Sequence, residues 1–538
     1  MAEPTGTSLP ASSRAEGRSR RAAVRRTAYA AISGTLLLGT AGALVAAAAI
    51  AAPSRTELAV QPPATGVPAG VLTGVCPEPL RLLAGNVTST DAEFSPVSES
   101  AATAVTTAVV GGTGAPLPPA QLSLLGSGKA VAALDPDSEV PLAGTRLAGV
   151  LANKQVKDVT AFEAEPSGEQ PATANAVMGY TATDGDLAGL AAANCQTPSN
   201  DMWLVGARTT VGATAVLRLN NPSATAATVD LEIYGSDGRV EAGGSRGIVV
   251  APGETRSIIL AGLASGQESA AIRVRSSGGP VSAFIEQSIL RGLTAGGVEI
   301  IEPTAAPAPR QVITGVALQS PETTRKLMEQ DSYESVQPVL NVAVPGTSDA
   351  SVHLRVFGEK GEVQLPGGGV FSVPAGTVGK IPLAELPAGT YSLDLSADVA
   401  VAASAVFSRG TEPGERVELA VASADNRLGS EHLAVAVPGG RSALVLTAPE
   451  GDAEVRVRAV GTGGSLQEEK TIQVPEGRTL VLQSRDLGSG DLAAVLVSAV
   501  GEAVYGAQLV TGDGPGISVL PLPEGTSGSR SIQVGLGY

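Results

Sequence analysis

Residues Val229–Gly235 read VDLEIYG, and the same rhythm returns at Val352–Gly358 (VHLRVFG) and Val455–Gly461 (VRVRAVG). In the first stretch Val229, Leu231 and Ile233 alternate with Asp230, Glu232 and Tyr234. Side chains of an extended strand point to opposite faces with a period of two, so each run lays one face on a core and the other in water. Around these runs the landmarks keep step. From Pro222, Pro345 and Pro449 to Gly235, Gly358 and Gly461 the separations are 13, 13 and 12 residues. From the same prolines to Pro252, Pro374 and Pro475 they are 30, 29 and 26. Three unrelated segments would not hold that register, so the chain contains an internal duplication.

Turns rich in Gly, Pro and Asp separate the strands at short intervals, which is the pattern of an antiparallel sandwich. Composition agrees: 66 Gly and 37 Pro suit many short strands, and only 3% aromatic residues leave the cores to Ala, Val, Leu and Ile. The expected fold is mainly β, with tandem immunoglobulin-like β-sandwich repeats at 201–335, 336–430 and 431–538. Residues 71–200 form a less regular N-terminal β unit whose Ala174–Tyr180 stretch echoes the end of a repeat. A short strand follows each unit (Val298–Ile301, Val417–Ala420, Ile517–Leu520), and it either closes its own unit or crosses to a neighbour.

No charge lies between Arg26 and Arg55, and Tyr29–Ala52 is apolar over a length that crosses ~30 Å of hydrocarbon as a helix. Six Arg precede it between Arg14 and Arg26, so an Arg-rich leader at 1–28 stays cytoplasmic and the rest is extracytoplasmic. The competing reading is secretion after signal cleavage near Ala49-Ile50-Ala51. Residues 53–70 read as a Pro/Gly/Ala stalk. Residues 1–55 hold seven Arg and two Glu, leaving 29 basic against 50 acidic residues beyond them, a net charge of −21. Such a body repels phosphate backbones and anionic headgroups, which excludes nucleic acid as a partner and limits membrane contact to residues 29–52.

The two cysteines, Cys76 and Cys195, fall in the exported part and bracket the N-terminal unit, so pairing is expected. Trp203 is the sole Trp; exposed, it would stack on a ligand, and buried, it would plug the junction between the N-terminal unit and repeat 1. Its neighbours Met202, Leu204 and Val205 favour burial. Two His, at 353 and 432, are too few and too scattered for a triad or a zinc site, and both read as surface residues. Gly126–Lys129 (GSGK) lacks the first Gly and the Ser/Thr of a phosphate loop. Asp135, Asp137, Glu139, Asp184 and Asp186 lack the spacing of a calcium loop. No catalytic residue, cofactor or metal is expected.

Four stretches carry a resemblance: Cys195–Gly206 (CQTPSNDMWLVG), Leu217–Ser223 (LRLNNPS), Gly296–Pro303 (GGVEIIEP) and Gly516–Pro523 (GISVLPLP). In these the chain resembles an actinobacterial family of alanine-rich, single-pass extracytoplasmic proteins known only as a domain of unknown function. The resemblance implies an envelope location and transfers no catalytic residue. The expected function is a non-catalytic envelope scaffold that meets an envelope protein or a cell-wall glycan. The alternatives are an accessory subunit of an envelope glycan-assembly enzyme, and a glycan hydrolase that uses acidic residues within 76–195.

Overall fold

The computed structural model describes residues 64–66, 69–82, 97–135, 144–166, 171–412, 414–525 and 531–533. The leader and the apolar segment at 29–52 lie outside the described residues, as does most of the stalk. No described helix is long and apolar enough to cross a membrane. A two-stranded pair, β1 (Ala64–Gly66) with Ser531–Gln533, is described by itself. Residues 66–530 form one compact unit made almost wholly of antiparallel strands.

The first sandwich runs β2 (Leu72–Cys76), β3 (Ala102–Val110), β4 (Ala120–Leu124), β5 (Ala130–Leu134), β6 (Ala148–Gln155), β7 (Thr160–Ala164), β8 (Thr173–Ala182) and β9 (Gly189–Asn194). Its sheets are ordered β2-β7-β4-β5 and β6-β3-β8-β9. The second runs β10 (Asp201–Ala207), β11 (Ala213–Asn220), β12 (Ala227–Gly235), β13 (Gly238–Val240), β14 (Ile248–Val250), β15 (Thr255–Ile259), β16 (Ala270–Gly278), β17 (Ser282–Arg291) and β18 (Thr294–Ile301). Its sheets are β10-β16-β12-β13, with β14 also on β12, and β15-β11-β17-β18. The two orders are the same, position for position.

The third sandwich runs β19 (Ala308–Leu318), β20 (Val339–Ala343), β21 (Ala350–Gly358), β22 (Gly361–Val363), β23 (Val370–Val373), β24 (Val378–Pro382), β25 (Gly389–Arg409) and β26 (Glu418–Ser423). Here one long strand serves both sheets. The first half of β25 pairs with β19 and β21, and its second half pairs with β20 and β26. A short helix, α1 (Pro321–Met328), capped by Ser320, fills the connection from β19 to β20. The fourth sandwich runs β27 (His432–Val435), β28 (Arg441–Thr447), β29 (Ala453–Gly461), β30 (Leu466–Val474), β31 (Thr479–Gln483), β32 (Leu492–Gly501), β33 (Tyr505–Thr511) and β34 (Ile517–Pro521). Its sheets, β27-β32-β29-β30 and β31-β28-β33-β34, repeat the order again. The strand Ala308–Leu318, which a boundary at 335 assigns to repeat 1, hydrogen-bonds to β25 and opens the third sandwich.

The alternation of the three quoted runs appears directly as burial. In β12, Val229, Leu231 and Ile233 face the core while Thr228 and Asp230 face solvent; β21 follows the same pattern, and β29 nearly so. The pattern stops at the end of each strand, where Tyr234, Phe357 and Val460 are buried. Tyr234 packs on residues of the third sandwich, Gly477 of the fourth sandwich lies against Phe357, and Val460 packs on the first. The outer faces are therefore also interfaces.

The interfaces close on themselves. Phe284 of β17 enters the cluster that holds Cys76, β10 packs on β25, β19 on β33, and β27 on β8. The first strands of the second, third and fourth sandwiches thus seat on the next sandwich around, and the fourth returns to the first. A shared cluster at that seam joins Ala108, Val177 and Leu190 to Leu433, Val435 and Leu496. The seam is also pinned by Arg146, whose guanidinium donates to Glu431 at 2.6 Å and 3.2 Å, while Thr173 Oγ1 donates to the same carboxylate at 2.6 Å.

Candidate functional site

Each sandwich ends in an edge strand, and the four edges meet. β9 packs against β18, β18 against β26, β26 against β34, and β34 against β9. An edge strand carries unpaired amide groups along its free side, and burying them without partners costs free energy. Acidic side chains from two of the four strands supply partners. Glu418 of β26 is wholly buried; its Oε2 accepts from the Leu190 amide and its Oε1 from the Val298 amide, both at 2.9 Å. One carboxyl of the third sandwich therefore holds the first and second together. Glu299 of β18 works in the opposite direction. It accepts from Ser518 Oγ at 2.8 Å and from the Val421 amide at 3.3 Å, joining the fourth and third sandwiches.

Two further acids complete the set. Glu302 accepts from the Asn194 amide at 2.9 Å and from the Asn194 side chain, which also donates to the Pro521 carbonyl at 2.9 Å. Asp425 accepts from both the amide and the hydroxyl of Thr314 at 2.8 Å. Small residues make the approach possible. A Cβ on Gly189 would stand 2.6 Å from Val298 and 2.8 Å from Glu418, and Gly297 combines a φ of +107° with backbone of residues 418 and 419 beside it. Burial pushes Glu302 and Glu418 up to about 8 despite the amides that favour their charged forms. Burial likewise lifts Glu299 and Asp425 well above the usual carboxylate range. Every bond these groups make is one in which a carboxyl oxygen accepts, so they act as hydrogen-bonding clasps. Among the described residues no three His, Cys, Asp or Glu converge as a metal site.

The residues singled out by sequence lie around this axis. Cys76, at the end of β2, is bonded to Cys195, which follows β9, so the disulfide links the two sheets of the first sandwich. Trp203 is 5% exposed and stacks on Tyr234 at 5.6 Å, with the Arg273 guanidinium over its ring at 5.6 Å. It packs with Ala343, Val378 and Ala402 of the third sandwich, so the junction it plugs is that of repeats 1 and 2, one step beyond the expected one. His353 is exposed on β21 as expected. His432 is not a surface residue: it is buried, accepts from the Gly429 amide at 2.7 Å, and lies 2.7 Å from the Pro523 carbonyl. Gly126–Lys129 forms the turn from β4 to β5. Asp184 accepts from Ser100 Oγ at 2.7 Å.

The axial acids are not evident from the sequence. Their signal is an acid enclosed by apolar residues on both sides, GVEII at 297–301 and VELAV at 417–421. In an alternating strand that acid is assigned to water.

The family model for a family of unknown function, DUF5719, matches residues 150–485, well over half of the chain. The chain belongs to this family. Within DUF5719 the matched span runs from β6 to the second α-helix, α2 (Ser484–Leu487), and takes in Trp203, Glu299, Glu302, Glu418 and Asp425. No curated protein matches the chain.

Proposed function

We propose that this DUF5719 protein is a non-catalytic envelope scaffold, holding a rigid block of four sandwiches of immunoglobulin-like type outside the membrane on an anchor at residues 29–52. The observation that carries the reading is the axial clasp. Glu299, Glu302 and Glu418 are bonded to amides, a hydroxyl and a carboxamide of neighbouring sandwiches, so they serve cohesion. Cohesion of this kind makes one body with a fixed outer surface, which is what a scaffold must offer. The Cys76–Cys195 bond supports passage into an oxidising compartment. Crosslinking in living cells followed by capture of the chain tests the role: an envelope protein or a wall polymer is expected in the product, and recovery of no such partner would overturn the reading.

A narrower role, as accessory subunit of an envelope glycan-assembly enzyme, is favoured by one feature. Val211 and Leu293 are 106% and 99% exposed on adjoining turns, joined by a hydrogen bond from the Leu290 amide to the Gly212 carbonyl at 2.7 Å. Two aliphatic side chains held wholly in water suit a protein contact. Loss of the gene with unchanged envelope sugar composition would remove this version.

A further inference from the structure

A cavity of about 290 Å³ opens between the first and second sandwiches, against the outer face of the β11–β17 pair. Its apolar wall is Leu80, Leu82, Leu187 and Val216, and its polar side is Thr214, Ser288, Glu286 and Arg81. Glu286 is the informative residue. Its side chain is only 6% exposed, and its Oε2 accepts from Arg218 at 2.8 Å. Arg218 is shared with Glu78, also at 2.8 Å. The other oxygen, Oε1, has no partner. A buried carboxyl oxygen without a donor bears its desolvation cost uncompensated, so its retention at a cavity wall points to a ligand group that completes it.

The chemistry around Glu286 restricts that group. Arg218 is paired with both Glu78 and Glu286, and Arg81, which donates to the Lys157 carbonyl, adds a second positive charge near Glu286, so the wall is close to electrically balanced and selects a neutral ligand. Burial pushes Glu286 up to about 7, against the pull of Arg218. A hydroxyl, which donates and accepts, pairs with this carboxyl whether or not it carries a proton. Thr214 and Ser288 offer the same capacity on the polar side, while the four aliphatic residues suit the C–H face of a small ring. At about 290 Å³ the space is at the small end for ligand pockets and matches one ring rather than a chain.

We infer that this cavity binds a neutral, hydroxyl-rich ring the size of one sugar residue, with a hydroxyl on Glu286 Oε1. This goes beyond the scaffold reading and does not rest on it; the crosslinking result decides the scaffold independently. The test uses the full-length protein in detergent with D-ribose, D-glucose, myo-inositol and methyl α-D-glucoside as probes. Hydrogen exchange read by mass spectrometry is expected to slow in peptides covering Leu80–Leu82, Thr214–Val216 and Glu286–Ser288. Slowing by a free sugar, by the glycoside, or by both supports the site, and which of them acts separates a free sugar from a polymer end. Glu286→Gln is expected to keep the effect, because a carboxamide also donates and accepts, whereas Glu286→Leu is expected to lose it. Val216→Phe fills the cavity from the position directly across the strand pair from Glu286, keeping both Glu286 and Arg218, and it too should lose the effect. No slowing with any probe, or equal slowing in Val216→Phe, overturns the inference.

Discussion

Glu418 takes amide hydrogens from two different sandwiches onto one carboxyl group. Glu418→Leu strands the Leu190 and Val298 amides in a dry interior, at a cost of about 1–3 kcal/mol for each. Glu418→Gln keeps one acceptor and is expected to lose about half as much; chemical denaturation of the three proteins checks the order. Trp203 is the other residue with a large expected effect. Trp203→Ala should cost about 3–5 kcal/mol, and the native protein's emission, which comes from this Trp alone, should be that of a buried indole and shift to the red when the second and third sandwiches part. The burial of Trp203 was legible in its apolar flanks, but its partners in the third sandwich, Ala343, Val378 and Ala402, were not, because they lie over a hundred positions away. The axial acids were illegible for a related reason. Burying a carboxyl without partners is costly, so any local reading sends Glu299 and Glu418 to solvent. Amides and a hydroxyl donated by other sandwiches make the interior tolerable for them.

At the level of strands, the sequence was most readable where one face of a strand meets water. β12, β21 and β29 have such a face, and their alternation located them. β3, β9, β18 and β26 are buried on both faces or nearly so, and their runs of Ala, Thr and Val carry little period. For that reason 71–200 looked irregular although it shares the strand order of the repeats. The short closing strands turn out to serve two neighbours at once. Each hydrogen-bonds within its own sheet on one side and meets its neighbours' edges on the other. The disulfide belongs to this scale. It closes a loop of 119 residues around the first sandwich, and replacing both cysteines with Ser is expected to cost about 4–5 kcal/mol in the chain-entropy account. Limited proteolysis should then cut first within 76–195, ahead of the other three sandwiches.

For the whole molecule, the seam and the axis set distinct dependences. Glu431 sits at the seam with a φ of +58°. Burial alone would raise its pKa, but Arg146 and Thr173 hold it below the usual range. Arg146→Ala removes a charge-assisted pair and should cost roughly 1.5–3 kcal/mol, read as easier separation of the first and fourth sandwiches. The axial acids act with the opposite sign. Their folded pKa values are raised, so the unfolded chain releases protons before the folded one does. Their contribution is full below about pH 4.3, the ordinary glutamate value, and falls as pH rises through about 8, where Glu302 and Glu418 ionise. Denaturation midpoints measured across that window should decline toward alkaline pH, and the decline should flatten in a protein carrying Gln at 302 and 418.

Because the fourth sandwich docks back onto the first, the assembly has no vacant berth at either end. Open solenoids lengthen by adding copies, since a terminal repeat always leaves a mating face for another. Here a fifth copy would find both faces taken and would have to prise the axis apart to enter. Growth by duplication therefore halts at four, and divergence is channelled into turns and insertions such as α1 rather than into copy number.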